Sequence, residues 1–472
     1  MSDDLIDRLS AICGKRHVLT GTDTARYGTD WMGKYVSQPL AVVRPGDTAE
    51  VAAVMRLAHE TGTAVVPIAG NTGLVGGTHA PGALMLSVER LNRVREIRPD
   101  ARIAIAEAGV ILSKLHDAVE AHGLAFPLFF GARGSAMIGG NLATNAGGSN
   151  VLRYGNTRAL CLGLEVVLPD GEVMDLMSEL HKDNSGYDLK DLFIGAEGTL
   201  GVITAAVLKL VPRPRAYATA MVAARSLPDA LVLLNRLQAA TGGMVEGFEF
   251  MPRTYLARLK AVLPELAPPL GYDHDVTILV ELGAVAPRDV DPAEDGSVPV
   301  VRLLEDTLAT LIEEGLALDA AIAQSQGQRL EMWKIRESAA EITLGRLPII
   351  DTDVCVPLDK VPAFMDHALE RLKGLDPKAD TITVSHLGDG NLHFSVWPSS
   401  QDPDAHDQIR EMVEDVTLEL GGSFSAEHGI GLSKLTSMQR RKDPVALAVM
   451  RRIKHALDPK GIMNPGKVIP DA

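Results

Sequence analysis

Apolar and polar positions along this chain recur in two rhythms, one of period two and one near 3.6 residues, and each marks its own kind of element. Leu40–Val43 is a short apolar run of strand type. Asp47-Thr48-Ala49-Glu50 follows, with an acid three residues beyond a capping side chain. Val51, Val54, Met55 and Ala58 then recur at helical spacing until Gly62, so the pattern predicts a helix closed by glycine. It further predicts strands over Thr63–Ile68 and Ile103–Ala106, and an amphipathic helix over Val110–Ala121. Leu164–Leu168 and Val173–Leu176 flank Pro169-Asp170-Gly171-Glu172 and read as a hairpin. The composition shifts at Pro212–Pro214, which suggests a boundary. Residues 1–214 then form one domain, 215–422 a second, and 423–472 a C-terminal segment that returns to the first. In the second domain Ser226–Ala240, Val300–Glu314, Leu330–Leu344 and Leu358–Leu372 have helical periodicity. Val276–Glu281, Leu318–Ala323 and Thr381–Ser385 read as strands, and Ala284–Ser297 reads as a surface loop. The mixture is of the α+β class.

Between these elements run segments in which glycine alternates with small polar and apolar residues. From Pro127 to Gly155 the chain carries Gly131, Gly134, Gly139, Gly140, Gly147 and Gly148 among Ser135, Asn141, Thr144 and Asn145. A flexible linker would not hold Met137-Ile138, Leu142-Ala143 and Val151-Leu152 between its polar groups. The pattern instead describes a buried loop that wraps a ligand. A second such loop, Ala69–Thr78, packs Gly70, Gly73, Gly76 and Gly77 into one turn, whose clustered N–H groups suit a phosphate. Asp183–Thr204 again mixes Glu197, Gly198, Gly201 and Val202.

Composition narrows the partner. The chain has 472 residues, 46% hydrophobic and 23% charged, as an ordinary globular protein has. A formal net charge of −15 argues against nucleic acid or an anionic membrane surface. Cys13, Cys161 and Cys355 are isolated, which suits a reducing compartment. No uncharged apolar run is long enough to span a bilayer, and the start of the chain lacks the features of a signal peptide, so the expectation is a cytoplasmic protein. No GxGxxG follows a strand, which counts against a nicotinamide site. Gly461–Val468 approaches a P-loop but places Val468 where a hydroxyl is required.

The most specific chemistry lies in SHLGDGNLHFSV, Ser385 to Val396. With Asp389-Gly390 as a two-residue turn, His386 would face His393 across the hairpin. Two imidazoles so placed can grip one divalent metal, and Glu427 in SAEHGIG is the best third ligand. Of Glu427 and its neighbour His428, one would ligate while the other acts on protons. Arg336, in EMWKIRE, is a candidate carboxylate clamp because its planar fork matches a carboxylate bidentately.

Together these pieces resemble the FAD-linked 2-hydroxy-acid dehydrogenases of the vanillyl-alcohol oxidase superfamily, the group containing D-lactate and D-2-hydroxyglutarate dehydrogenases. AGNTGLVGG is similar to that family's pyrophosphate loop. IGGNLATNAGGSNVLRYGN and DNSGYDLKDLFIGAEGTLGVIT resemble its flavin-wrapping segments, and HLGDGNLH, AEHGIG and MNPGK its C-terminal signatures. The resemblance implies a bipartite FAD-binding domain of the vanillyl-alcohol oxidase type and an α+β cap domain with a largely antiparallel sheet. FAD would be held by Gly70, Asn71, Thr72, Gly73, Gly76, Gly77 and Thr78, and by Pro127, Gly131, Ser135, Gly139, Gly140, Asn141, Thr144, Asn145, Gly147, Gly148, Tyr154 and Gly155. Glu197, Gly198, Gly201, Val202 and Asn464 would complete its site. By the same similarity His386, His393 and Glu427 would bind zinc or a related ion, His428 would be the base, and Arg336 would hold the substrate's carboxylate. Asn71 stands where covalent members place a flavin-linking histidine, which implies non-covalent FAD. Ala340, Asp351 and Ser395 stand where the hydroxyglutarate enzymes place substrate-binding threonine, lysine and asparagine. DTDVCVP, Asp351–Pro357, is similar to D-lactate dehydrogenases instead. The substrate implied is a small D-2-hydroxy acid such as D-lactate. The electron acceptor stays open among a quinone, a cytochrome and an electron-transfer flavoprotein, and a homodimer is one arrangement the sequence allows.

Overall fold

Nine consecutive buried residues, Val276–Ala284, form a strand covered on both faces in the interior of the larger sheet. The structure is a computed structural model that describes residues 2–471. The chain divides into two compact units. One runs through Gly147 and takes in Gly155–Pro212 and everything from Glu427 onward; the other comprises Gly148–Tyr154 and Arg213–Ala426.

The second unit is built on seven strands in the order Ala317–Ile322, Ala216–Ala224, Val276–Ala284, Val245–Pro252, Asp380–His386, Asn391–Trp397, Ile350–Cys355. Every neighbouring pair is antiparallel. Side chains alternate across such a sheet. On Val245–Pro252, Phe248 and Phe250 point into one core with Val280, Leu392, Phe394 and the helices Leu227–Thr241 and Val361–Leu375. Met251 points to the opposite face, where it packs with Tyr255, Met332, Ile335, Ile382 and Val384. Glu249 shares the parity of Met251, so an acid sits on that otherwise apolar face.

The helix expected over Leu330–Leu344 is two helices, Gln326–Glu337 and Ala339–Leu344. Ser338 divides them with a non-helical ψ of 1°, and the Ile335 carbonyl at the junction accepts the Tyr255 hydroxyl at 2.6 Å. The hairpin register also differs from the sequence reading. His386 pairs with Asn391 and Val384 with His393, around a four-residue connection rather than a two-residue turn. The slip is two residues along one strand, and an even slip leaves every side chain on its original face. His386 and His393 are therefore diagonal neighbours, with ring centroids 5.5 Å apart and planes at 80°.

The first unit holds a four-stranded sheet in the order Val18–Leu19, Ala41–Val43, Leu84–Ser87, Val65–Ile68, and a five-stranded antiparallel sheet. Asp47 caps the helix Thr48–Thr61 by accepting the Glu50 N–H, and Gly62 ends it in the left-handed conformation, as the sequence predicts. Glu50 does not close the reciprocal bond to the cap; its carboxylate accepts from Gly46 N–H at 2.7 Å. The hairpin Cys161–Val167 with Val173–Leu176 forms in the expected place, with Val167 opposite Val173.

Candidate active site

In the first unit the glycine-laced segments converge. Gly70 comes so close to the Ser135 carbonyl that a Cβ would lie 2.2 Å from its oxygen, so two of the presumptive cofactor loops meet where only glycine fits. Among the described residues six non-glycine positions have positive φ, and four of them, Asn71, Asn145, Glu197 and Asn464, belong to the segments expected to wrap the flavin. Such conformations cost roughly 1–3 kcal/mol each and persist where a ligand clamp requires them. Asn71 is fixed by its own amide, which donates to the Thr29 carbonyl at 2.9 Å and accepts from the Thr78 hydroxyl at 2.8 Å. Gly139, Gly140 and Asn141 lie on the short helix Ile138–Ala143, which Thr144 ends. Asn141 Nδ2 and Asn464 Oδ1 are buried without hydrogen-bond partners among the described residues. An orphaned donor and an orphaned acceptor of this kind fit a buried heterocycle with carbonyl and imide edges, which FAD has.

Glu197 organises the C-terminal return. Its carboxylate accepts the N–H groups of Ile430 at 2.7 Å and Gly431 at 2.8 Å, directly after Glu427 and His428. Burial pushes the Glu197 carboxyl up, against those two bonds. Asn464 Nδ2 donates to the carbonyls of Gly77 at 3.0 Å and Glu197 at 2.8 Å, which ties the last segment to two of the cofactor loops. His428 Nε2 lies 3.8 Å from Glu427 Oε1. Tyr154 is used differently: it lies in the Gly148–Tyr154 excursion within the second unit, and its hydroxyl donates to Glu246 at 2.6 Å.

On the sheet of the second unit, each imidazole stands opposite a buried acid that the sequence reading did not single out. Glu249 pairs in register with His386, and Asp353 with His393. His386 Nδ1 lies 2.9 Å from Glu249 Oε1, and Arg336 Nε lies 2.9 Å from Glu249 Oε2. Burial alone would raise the Glu249 carboxyl, but His386 and Arg336 hold it below its usual value. Arg336 is 8% exposed, and its Nη2 has no hydrogen-bond partner among the described residues. Asp353 accepts from Asn391 Nδ2 at 3.0 Å and lies 3.9 Å from His393 Nδ1, with the ligand atoms of Asp353 and His393 within 4.8 Å of each other. Asp353 also accepts the N–H of Ala426 at 3.2 Å, and Glu427 and His428 follow Ala426 in the chain. The signal for both acids was an ionisable residue inside an apolar alternating run, in FEF and TDV.

Residues 39–177 match the FAD binding domain, and residues 213–468 match the FAD linked oxidases, C-terminal domain. The chain belongs to the FAD-linked oxidase family and is an FAD-dependent oxidoreductase. It is 37% identical over 453 residues to a D-2-hydroxyglutarate dehydrogenase of Xanthomonas citri pv. viticola, covering 94% of this chain and 92% of that one. It is 34% identical to the mitochondrial D-2-hydroxyglutarate dehydrogenase of Bos taurus, over 100% of this chain and 84% of that one. Among solved structures, p-cresol methylhydroxylase superposes with a TM-score of 0.74 at 17% identity, covering 99% of this chain and 97% of that one. The fold is thus the vanillyl-alcohol oxidase type expected, with an antiparallel α+β cap. No helix among the described residues is long and apolar enough to cross a membrane.

Proposed function

We propose that this chain oxidises a small D-2-hydroxy acid to the corresponding 2-keto acid. The observation that carries the reading is Arg336, a buried guanidinium whose Nη2 lacks an acceptor on the sheet face that holds two imidazoles. A substrate carboxylate supplies that acceptor with a charge-assisted bond. Non-covalent FAD, since Asn71 offers no linking nucleophile, supplies the two-electron acceptor for the C2 hydrogen. His386, His393 and Glu427 would hold a divalent cation, zinc by their nitrogen and carboxylate donors, and such an ion acidifies a bound hydroxyl. Ala426, pinned to Asp353, delivers Glu427 and His428 next in the chain, which supports assigning them to this chemistry. His428 takes the C2 hydroxyl proton, a role typically worth roughly 10²–10⁴-fold. Arg336 fixes which end of the acid points where.

D-lactate is the favoured substrate size because Asp351, exposed and accepting from the Ser395 hydroxyl at 2.6 Å, lies on the same sheet face two residues beyond Asp353. A carboxylate there disfavours a second substrate carboxylate. The alternative, D-2-hydroxyglutarate, is favoured by the names of the relatives. An anaerobic panel of D- and L-lactate, D-malate, glycolate and D-2-hydroxyglutarate, followed by bleaching of the flavin absorbance, decides between them. No bleaching by any member would overturn the reading. Fast reduction by D-2-hydroxyglutarate alone would move the assignment to the dicarboxylate.

A further inference from the structure

Resting on the reading above, we infer that Glu249 is a positioning residue that couples the metal ligand His386 to the carboxylate clamp Arg336. The residue is 1% exposed; either oxygen of its carboxylate lies 2.9 Å from His386 Nδ1, and Oε2 also forms an ion pair with Arg336 Nε at 2.9 Å. It stands directly opposite His386 on the adjacent strand, so the backbone register sets the contact. A carboxylate only accepts hydrogen bonds, so the contact places the imidazole proton on Nδ1 and leaves the Nε2 lone pair for a cation. Oε2 also faces Arg336 Nε as an ion pair, while Arg336 Nη2 is without a hydrogen-bond partner among the described residues and is placed to meet substrate. One buried group therefore fixes both the ring nitrogen that can ligate and the donor that can bind substrate. Strand Val245–Pro252, strand Asp380–His386 and helix Gln326–Glu337 belong to the same unit, so one scaffold holds the acid, the imidazole and the guanidinium.

The test uses the full FAD-loaded protein. Glu249→Gln should lower zinc affinity by about 10–100-fold in competition with a chromophoric chelator. With zinc restored to saturation, the KM for the best acid of the panel should stay raised at least several-fold, because the Arg336 edge is no longer held. Glu249→Asp, which keeps the charge, should recover part of both. A folded Glu249→Gln protein with unchanged zinc affinity and unchanged KM overturns the coupling. Should that variant fail to fold, the wild-type protein still decides: ¹⁵N-histidine spectra during zinc titration should show metal on Nε2 of His386, assigned by its loss in His386→Asn. Metal on Nδ1 overturns the inference. Zinc binding is read without turnover, so an absence of 2-hydroxy-acid oxidation would sink the functional reading and leave this measurement intact.

Discussion

Arg336 and Glu197 illustrate how far a single residue's role follows from its surroundings. Arg336 forms an ion pair with a buried acid, and its Nη2 is without a hydrogen-bond partner among the described residues, so its replacement should act on substrate binding before anything else. Arg336→Lys preserves the charge but not the fork. Losing one charge-assisted bond, worth roughly 1.5–3 kcal/mol, should raise KM about 10–100-fold with a smaller change in kcat. Steady-state kinetics with the preferred acid check this, and an unchanged KM would remove the clamp from the scheme. Glu197 was a cofactor candidate in the sequence, and the structure gives its side chain a further task in anchoring Ile430 and Gly431. Glu197→Gln leaves one of those N–H groups facing an amide N–H₂. The expected result is a lower kcat with FAD still bound, read by absorbance and turnover on the same sample.

At the scale of elements, the histidine hairpin shows what the sequence disclosed and what it could not. The residue types and the shared face were legible from the alternation in SHLGDGNLHFSV. The register was not, because Asp389-Gly390 suits a two-residue turn, whereas Asp389 accepts the Asn391 N–H and the connection takes four residues. Gly390 has φ +81°, and a Cβ there would lie 2.2 Å from the Val356 carbonyl oxygen. Gly390→Ala should therefore cost roughly 1–3 kcal/mol and weaken zinc binding together. Thermal melting and chelator competition measure the two, and a variant normal in both would contradict this register. Ser338 gives the opposite lesson: the apolar spacing of Leu330–Leu344 continues across it, and the break shows only in its non-helical ψ and in the Tyr255 hydroxyl that meets the Ile335 carbonyl from 80 positions away. Glu249 and Asp353 stood out only as acids within apolar runs, and their partners could not be read from the sequence because they lie 137 and 40 positions away, a distance only the sheet closes.

For the whole molecule, the acidic composition said nothing of where buried charge stabilises the fold. The first unit keeps Glu107 and Glu165 inside its five-stranded sheet. Glu107 accepts from Arg93 N–H at 2.9 Å, Arg93 Nη2 at 2.9 Å and Arg95 Nε at 3.2 Å. Glu165 accepts from Arg95 at 3.0 Å and from the hydroxyls of Thr48 at 2.6 Å and Thr204 at 2.8 Å. Burial would raise both carboxyls, but these donors outweigh it and hold each below the usual 4.5. A depressed folded-state value means stability that is fully present above the unfolded value and lost as pH falls through the folded one. The melting temperature of the FAD-loaded protein should thus be flat in this contribution at neutral pH and decline below about pH 4.5. Glu107→Gln should lower stability at pH 7 by roughly 1–3 kcal/mol and flatten the acid decline, since the variant lacks a carboxylate that takes up a proton on unfolding. Scanning calorimetry from pH 7 to about pH 3 measures both effects. An acid decline as steep in Glu107→Gln as in the parent would show that the Arg93–Glu107–Arg95 group does not carry it, and that the acid sensitivity belongs to carboxylates elsewhere in the chain.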